Sequence, residues 1–328
     1  MTAREHINEY FNSRAFMVLS ALALVTMSIV AVTMGGRPVA ADNMGAIFAF
    51  DGSLFQPGPL SATINVLCLL ASGGLMLALN KVFTFVRSTT HLFASAFFLL
   101  QTANPQGLVS LNAGTVICLV TAMATLPLFA SFQDRHAQRS IFLIFALASA
   151  GAMFHYGFLV LLPAFFLGFL NMGVLKLKGL LAMLFGMVTP FWIVLGLGIA
   201  TPADLHPPHI CGIWSADLNS GISAVLVLAA VTAVLGIVLA VMNLMTIMNY
   251  RMQTRVYNAF FVFTLLVAVI TLCVSYRNVS ALLPLLGLMV SVQVAHAHTL
   301  HSTQAHRYLF LLLFMAGCLV SGLVNLLK

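Results

Sequence analysis

Eleven apolar runs divide this chain, and no Asp, Glu, Lys or Arg falls inside any of them. They are 15–34, 61–80, 88–103, 107–131, 140–154, 157–175, 179–200, 221–248, 257–275, 279–295 and 308–327. A bilayer core near 30 Å is crossed by about 20 apolar residues in a helix, so runs of this length and number specify a polytopic membrane protein. Lipid-embedded backbone must pair its own hydrogen bonds, and the runs lack the alternation of a barrel strand, which leaves helices. Of 328 residues 61% are hydrophobic and 6% charged. That balance excludes a soluble enzyme on a single anchor, a disordered chain and a disulfide scaffold. The expected fold is all-α, one integral membrane domain over residues 1–328, with about eleven spans.

The formal charge of +7 is a matter of topology. With a cytoplasmic amino terminus, the inner connections hold Arg4, Arg14, Lys81, Arg87, Arg135, Arg139, Lys176, Lys178, Arg251, Arg255 and Arg307. The outer ones hold only Arg37, Arg277 and Lys328, a positive-inside bias of 11 against 3. No Lys/Arg cluster interleaved with aromatics exists, so no nucleic-acid partner is expected. Cys68, Cys118, Cys273 and Cys318 fall in apolar runs and Cys211 stands alone in a loop, so no disulfide is expected. The first run is longer than a secretory signal core and follows a polar segment with Glu5 and Glu9, so it reads as an uncleaved span.

Two pairs of runs, 88–103/107–131 and 140–154/157–175, contain members of only 15 or 16 residues. These rise about 24 Å, short of the core. A single crossing over 140–175 would put Arg135 and Arg139 opposite Lys176 and Lys178, against the charge rule. Two short helices meeting near His155-Tyr156-Gly157 are therefore expected, and Asn104-Pro105-Gln106-Gly107 is an outer turn. Interrupted helices at membrane depth persist where protein or a watery cavity covers their freed backbone groups, so the outer half of this region is a candidate cavity.

Two outer loops exceed simple turns, 35–60 and 201–220. Within the first, Met44–Phe50 is an apolar cluster of the kind that forms an interfacial helix. The uncharged polar residues inside the runs, Asn65, Gln101, Asn112, Asn171, Asn243 and Gln293, read as interhelical hydrogen-bonding groups. The lack of charge at mid-membrane disfavours ion-coupled transport. Outer titratable and charged groups remain: Arg37, Asp42, Asp51, His155, Tyr156, Asp204, His206, His209, Asp217 and Arg277. A carboxylate at a membrane surface takes a proton from a sugar hydroxyl or holds a divalent ion, and an arginine grips a lipid-linked phosphate bidentately. His296, His298, His301 and His306 read as a polar interfacial loop, since no Cys, Asp or Glu accompanies them as metal ligands. No phosphate loop, dinucleotide fingerprint, His-Glu zinc motif, Gly-x-Ser-x-Gly elbow or Cys-x-x-Cys is present.

From Gly35 to Leu170 the order of features resembles the GT-C superfamily of membrane glycosyltransferases that use polyprenyl-phosphate sugars, and it also resembles uncharacterised bacterial inner-membrane families of the same layout. The resemblance rests on the first outer loop with Asp42 and Asp51, on Leu100-Gln101-Thr102-Ala103-Asn104-Pro105, and on Phe154-His155-Tyr156-Gly157 running to Leu162-Pro163. It implies handling of a lipid-linked saccharide at the outer face of a bacterial inner membrane. In that reading Asp42 or Asp51 is the base or binds a divalent metal ion, and Arg37 and Arg277 grip phosphate. Asn104, His155 and Tyr156 line the cavity. The first loop offers Asp42-Asn43 and an isolated Asp51 rather than an acidic pair. That departure, with the small residues of Ala146–Gly151, supports the alternative of a non-enzymatic scaffold subunit with a protein partner in the membrane. An uncoupled transporter or flippase is the third reading.

Overall fold

The computed structural model describes residues 10–38, 44–49, 55–86, 90–134, 136–216, 222–248, 250–300 and 306–326. Among them are eleven α-helices and no strand. They are α1 (Arg14–Thr33), α2 (Pro59–Phe83), α3 (Leu92–Thr102), α4 (Ala113–Ala130), α5 (Gln138–Phe154) and α6 (Leu161–Asn171), then α7 (Leu177–Gly196), α8 (Ser223–Ile247), α9 (Met252–Val274), α10 (Val279–Leu300) and α11 (His306–Leu326). Each apolar run of the sequence therefore carries one helix. Seven are long and apolar enough to cross a membrane: α1, α2, α4, α7, α8, α9 and α10. The shorter apolar elements are α3, α5, Tyr156–Asn171 and the Leu312–Leu326 part of α11. With 11 residues, α3 rises only about 16 Å.

Local chemistry sets the helix ends. Ser13 caps α1, its Oγ accepting from the Phe16 N–H at 3.2 Å, and Pro59 opens α2 at a position where its missing N–H costs nothing. The Oδ1 of Asn112 accepts from the Thr115 N–H at 2.9 Å to start α4. At the end of α1 the Gly35 N–H bonds the Val32 carbonyl and the Gly36 N–H that of Ala31. This is a Schellman closure, and Gly35 at φ +69° supplies its left-handed residue.

The core is built around α10, whose span is 94% buried and packs against α3, α4, α8 and α9. Amide side chains tie this centre together. Asn243 Nδ2 donates to Gln293 Oε1 at 2.9 Å and Gln293 Nε2 to Asn258 Oδ1 at 3.0 Å, linking α8, α10 and α9. Gln101 packs against Gly287, where a Cβ would come 2.7 Å from its Nε2. The interhelical role expected for Asn243 and Gln293 is what they perform. A ring cluster locks α4 to α9: Phe129 stacks on Tyr257 at 4.1 Å between centroids, and the Tyr257 hydroxyl donates to the Phe129 carbonyl at 3.1 Å.

One end of the bundle, the basic end, carries Arg14, Lys81, Arg139, Lys176, Lys178, Arg251 and Arg255. The other, the loop end, carries Arg37 and Arg277. All five cysteines are free. The small residues of Ala146–Gly151 are used within the chain: a Cβ on Gly186 of α7 would sit 2.6 Å from the Phe142 carbonyl and 3.2 Å from the Ala146 nitrogen. The expected polar histidine loop differs. His296 and His298 are buried in the last turns of α10, because the helix continues past the apolar run and its neighbours cover it. His301 lies outside the described residues.

Candidate functional site

Between α3 and α4 the backbone of 103–112 leaves the α-helix, with a 3-10 turn at Pro105–Leu108, yet much of it is buried. Its polar groups are met by side chains from surrounding helices and by its own Asn112. Gly107 O accepts from Asn65 Nδ2 and from Asn112 Nδ2, both at 2.9 Å. Leu108 O accepts from Ser28 Oγ at 3.1 Å, Ala103 O from Asn325 Nδ2 at 3.1 Å, and Ser61 Oγ accepts from the Leu111 N–H at 2.8 Å. Irregular backbone inside a bundle is tolerable only with such partners. The expected turn at Asn104–Gly107 is thus a held platform.

A chamber of about 400 Å³ lies at the loop end against this platform. Gly35, Gly36 and Arg37 from the end of α1 form one wall, Pro105 and Gln106 another, and Asn325 near the end of α11 a third. The Schellman closure turns the chain sharply enough to put Arg37 on the chamber instead of continuing outward. The lining thus combines one guanidinium and two amides over an apolar floor of Ala31 and Val109. Asn325 Nδ2 is committed to the Ala103 carbonyl, so Arg37 and Gln106 are the donors that suit an oxyanion with polar substituents.

Asn325 also lines a second cavity, an apolar groove of about 660 Å³ between α8 and α11. Val227, Val231, Leu235, Leu313 and Phe314 are among its walls, with Leu100 of α3 and Ala103 just beyond its end behind. A polar chamber and a lateral apolar groove therefore share one lining residue.

The other expected site residues lie elsewhere. Asn104 is 7% exposed and belongs to the platform, its amide packed at Gly107. His155 is 1% exposed; it breaks the helix in an extended conformation, and its Nδ1 accepts from the Gly157 N–H at 2.8 Å. Two short elements meet there as the sequence predicts, α5 on one side and a 3-10 turn over Tyr156–Val160 leading into α6 on the other.

The segment 44–49 covers this break. It is not the interfacial helix expected of it but a tight turn closed by a Met44–Ala49 bridge. The reason is hydrogen bonding: its N–H groups are drawn to the free carbonyls at the end of α5. Ala46 N–H donates to Ala152 O at 3.0 Å, and Ile47 and Phe48 N–H to Met153 O at 3.1 and 2.9 Å. Gly45 permits the approach, since a Cβ there would fall 2.3 Å from the Met153 carbonyl oxygen. The His206 N–H donates to Ala46 O at 3.0 Å, and the Tyr156 hydroxyl to the His206 carbonyl. The two long loops are thereby joined.

Arg277 is exposed in a 3-10 turn before α10, beside the point where the Tyr276 N–H meets the Cys211 carbonyl at 3.0 Å. The chamber lined by Arg37 is not lined by His155, Tyr156 or Arg277. Asp42 and Asp51 lie outside the described residues. Among the described residues no group of three or more His, Cys, Asp or Glu is placed to hold a metal ion. Asp204, fully exposed, has its pKa held below the ordinary carboxylate value by the backbone N–H of Thr201 and then its hydroxyl, both at 2.8 Å from Oδ2.

Sequence reasoning overlooked Gln106, Asn325, Ser28 and Asn258. A signal for Asn325 and Asn258 existed, since each is an amide within an apolar run. None existed for which amide would face a cavity.

No curated protein and no solved structure gives a match to this chain. A family model does match, over residues 46–326, a range that takes in Asp51, His155, Tyr156 and Arg277 and begins after Arg37 and Asp42. The chain belongs to that family, described as a family of unknown function (DUF6427).

Proposed function

We propose that the chain is an integral protein of the bacterial inner membrane that handles a polyprenyl-phosphate-linked saccharide at the outer face, in the manner of a GT-C glycosyltransferase. The observation that carries this reading is that the Arg37 chamber and the α8/α11 groove share the lining residue Asn325. An amphipathic lipid phosphate needs an apolar channel for its chain and a cationic, amide-lined pocket for its head. In the proposed reaction Arg37 grips the phosphate bidentately. Asp42 or Asp51 takes the proton from an acceptor hydroxyl. That oxygen attacks the anomeric carbon, and the bond to the phosphate breaks to release the lipid phosphate.

The experiment is sugar transfer from a fluorescent polyprenyl-phosphate sugar by the full chain in liposomes. Asp42→Asn or Asp51→Asn should lower transfer by about 100-fold or more with donor binding retained, the range of a lost general base. Arg37→Gln should weaken donor binding. Transfer unchanged in the Asp42→Asn/Asp51→Asn double variant would eliminate the catalytic version. Binding and translocation of the lipid without transfer would support the flippase.

One observation favours the scaffold reading. Helix α7 packs chiefly on α5 and only 11% of its span is buried, leaving Trp192, Phe185 and Val188 exposed to a partner helix. Co-purification of a stoichiometric membrane partner that is lost on substituting these residues would support it.

A further inference from the structure

The basic end holds a separate cavity of about 340 Å³ where α6, α8 and α9 have their ends. Its floor is closed by Ile247 and Val256, both buried, and its rim is formed by Met248 and Met252, both exposed. Two polar side chains line it, Asn171 and Arg255. Asn171 is committed, its Nδ2 donating to the Val256 carbonyl at 3.2 Å and tying α6 to α9. Arg255 is therefore the available donor, exposed at the mouth.

Among the described residues at this end the cations outnumber the carboxylates. Arg251, Lys176 and Lys178 are exposed at the same end. Of the two described carboxylates, Asp134 shares this end, in the α4–α5 connection, where it accepts from the His136 N–H at 2.9 Å, and Asp204 is at the loop end. A guanidinium at the mouth of an apolar-walled recess between helix ends, on the positively charged face, matches an anionic lipid head. The volume lies near the lower end of the roughly 300–1,000 Å³ of ligand sites, enough for a headgroup with its chains left outside. The exposed rim methionines give those chains an apolar way out.

We propose that this recess binds the phosphodiester headgroup of an anionic phospholipid, with Arg255 on the phosphate and the acyl chains leaving across Met248 and Met252. The site is independent of the Arg37 chamber and stands whether or not the chain transfers sugar. A free phosphate does not fit as well, because the recess is mostly apolar.

The test is native mass spectrometry of the full chain with phosphatidylglycerol and phosphatidylcholine. The wild type should retain phosphatidylglycerol roughly tenfold better, and Arg255→Gln should remove that preference. Lys178→Gln, on the same face but outside the recess, should change it by less than about twofold. Met252→Trp fills the recess while keeping every charge, and should lose the lipid as Arg255→Gln does; it carries the test if the arginine variant fails to fold. Equal losses in Lys178→Gln and Arg255→Gln would overturn the proposal in favour of general surface attraction. Full retention by Met252→Trp, or displacement of the lipid by millimolar inorganic phosphate, would overturn it as well.

Discussion

Asn65 and Asn112 both donate to one carbonyl, that of Gly107, at 2.9 Å, and this shared acceptor makes a double-mutant cycle informative. Asn65→Leu removes one bond, worth about 1 kcal/mol inside a membrane bundle. It also deletes the buried Asn65 Oδ1, which has no hydrogen-bond partner, so the two effects oppose and the net cost should stay below about 1 kcal/mol. Asn112→Leu removes its bond to Gly107 and the cap on Thr115, for about 1.5–3 kcal/mol. Either variant alone leaves Gly107 O with one donor. Together they leave it with neither side chain, adding an unmet half-buried carbonyl at about 1 kcal/mol, the low end for a buried group. The double variant should therefore be less stable than the sum of the singles by about 1 kcal/mol. Reversible unfolding in mixed micelles, followed by circular dichroism, measures each corner. Additivity within about 0.5 kcal/mol would refute the idea that the two amides hold the platform through a common acceptor.

Three further outcomes are expected. Gly35→Ala, at φ +69° with nothing within 4 Å of the new Cβ, should cost about 1–2 kcal/mol from backbone strain alone, lowering Tm and loosening Arg37 without a packing change. Gly186→Val should cost about 2 kcal/mol or more by pushing α7 off α5, seen as faster hydrogen exchange in α7 with α10 unaffected. Acidification should release the 201–204 turn: a carboxylate with a lowered folded pKa contributes above its unfolded value, near 4, and loses that contribution as pH falls through the folded one. Thr201 amide protection should therefore drop below about pH 4, and Asp204→Asn should remove the pH dependence.

The positions of the helices and of their interruptions were legible before any coordinates, including the turn at Asn104–Gly107 and the break at His155. Apolar run length, Pro and Gly punctuation and the sorting of Lys and Arg are local signals, and the physics they report is local too. Also legible was the general duty of the amides in the spans, because an amide in hydrocarbon must find a partner.

Tertiary packing alone decided what each of those groups finds. Met44–Ala49 has an apolar sequence that suits an interfacial helix, and it becomes a turn because the end of α5, about a hundred residues on in sequence, offers it free carbonyls. His155 reads as a cavity residue, but it is buried with its Nδ1 accepting from the Gly157 N–H. Arg37 and Asn325 lie nearly the whole chain apart and share a chamber only because α1 and α11 both close on the same non-helical platform. Sequence periodicity specifies where a helix runs; the face it turns inward, and so the company its polar side chains keep, follows from non-local backbone groups that must be satisfied in a medium without water.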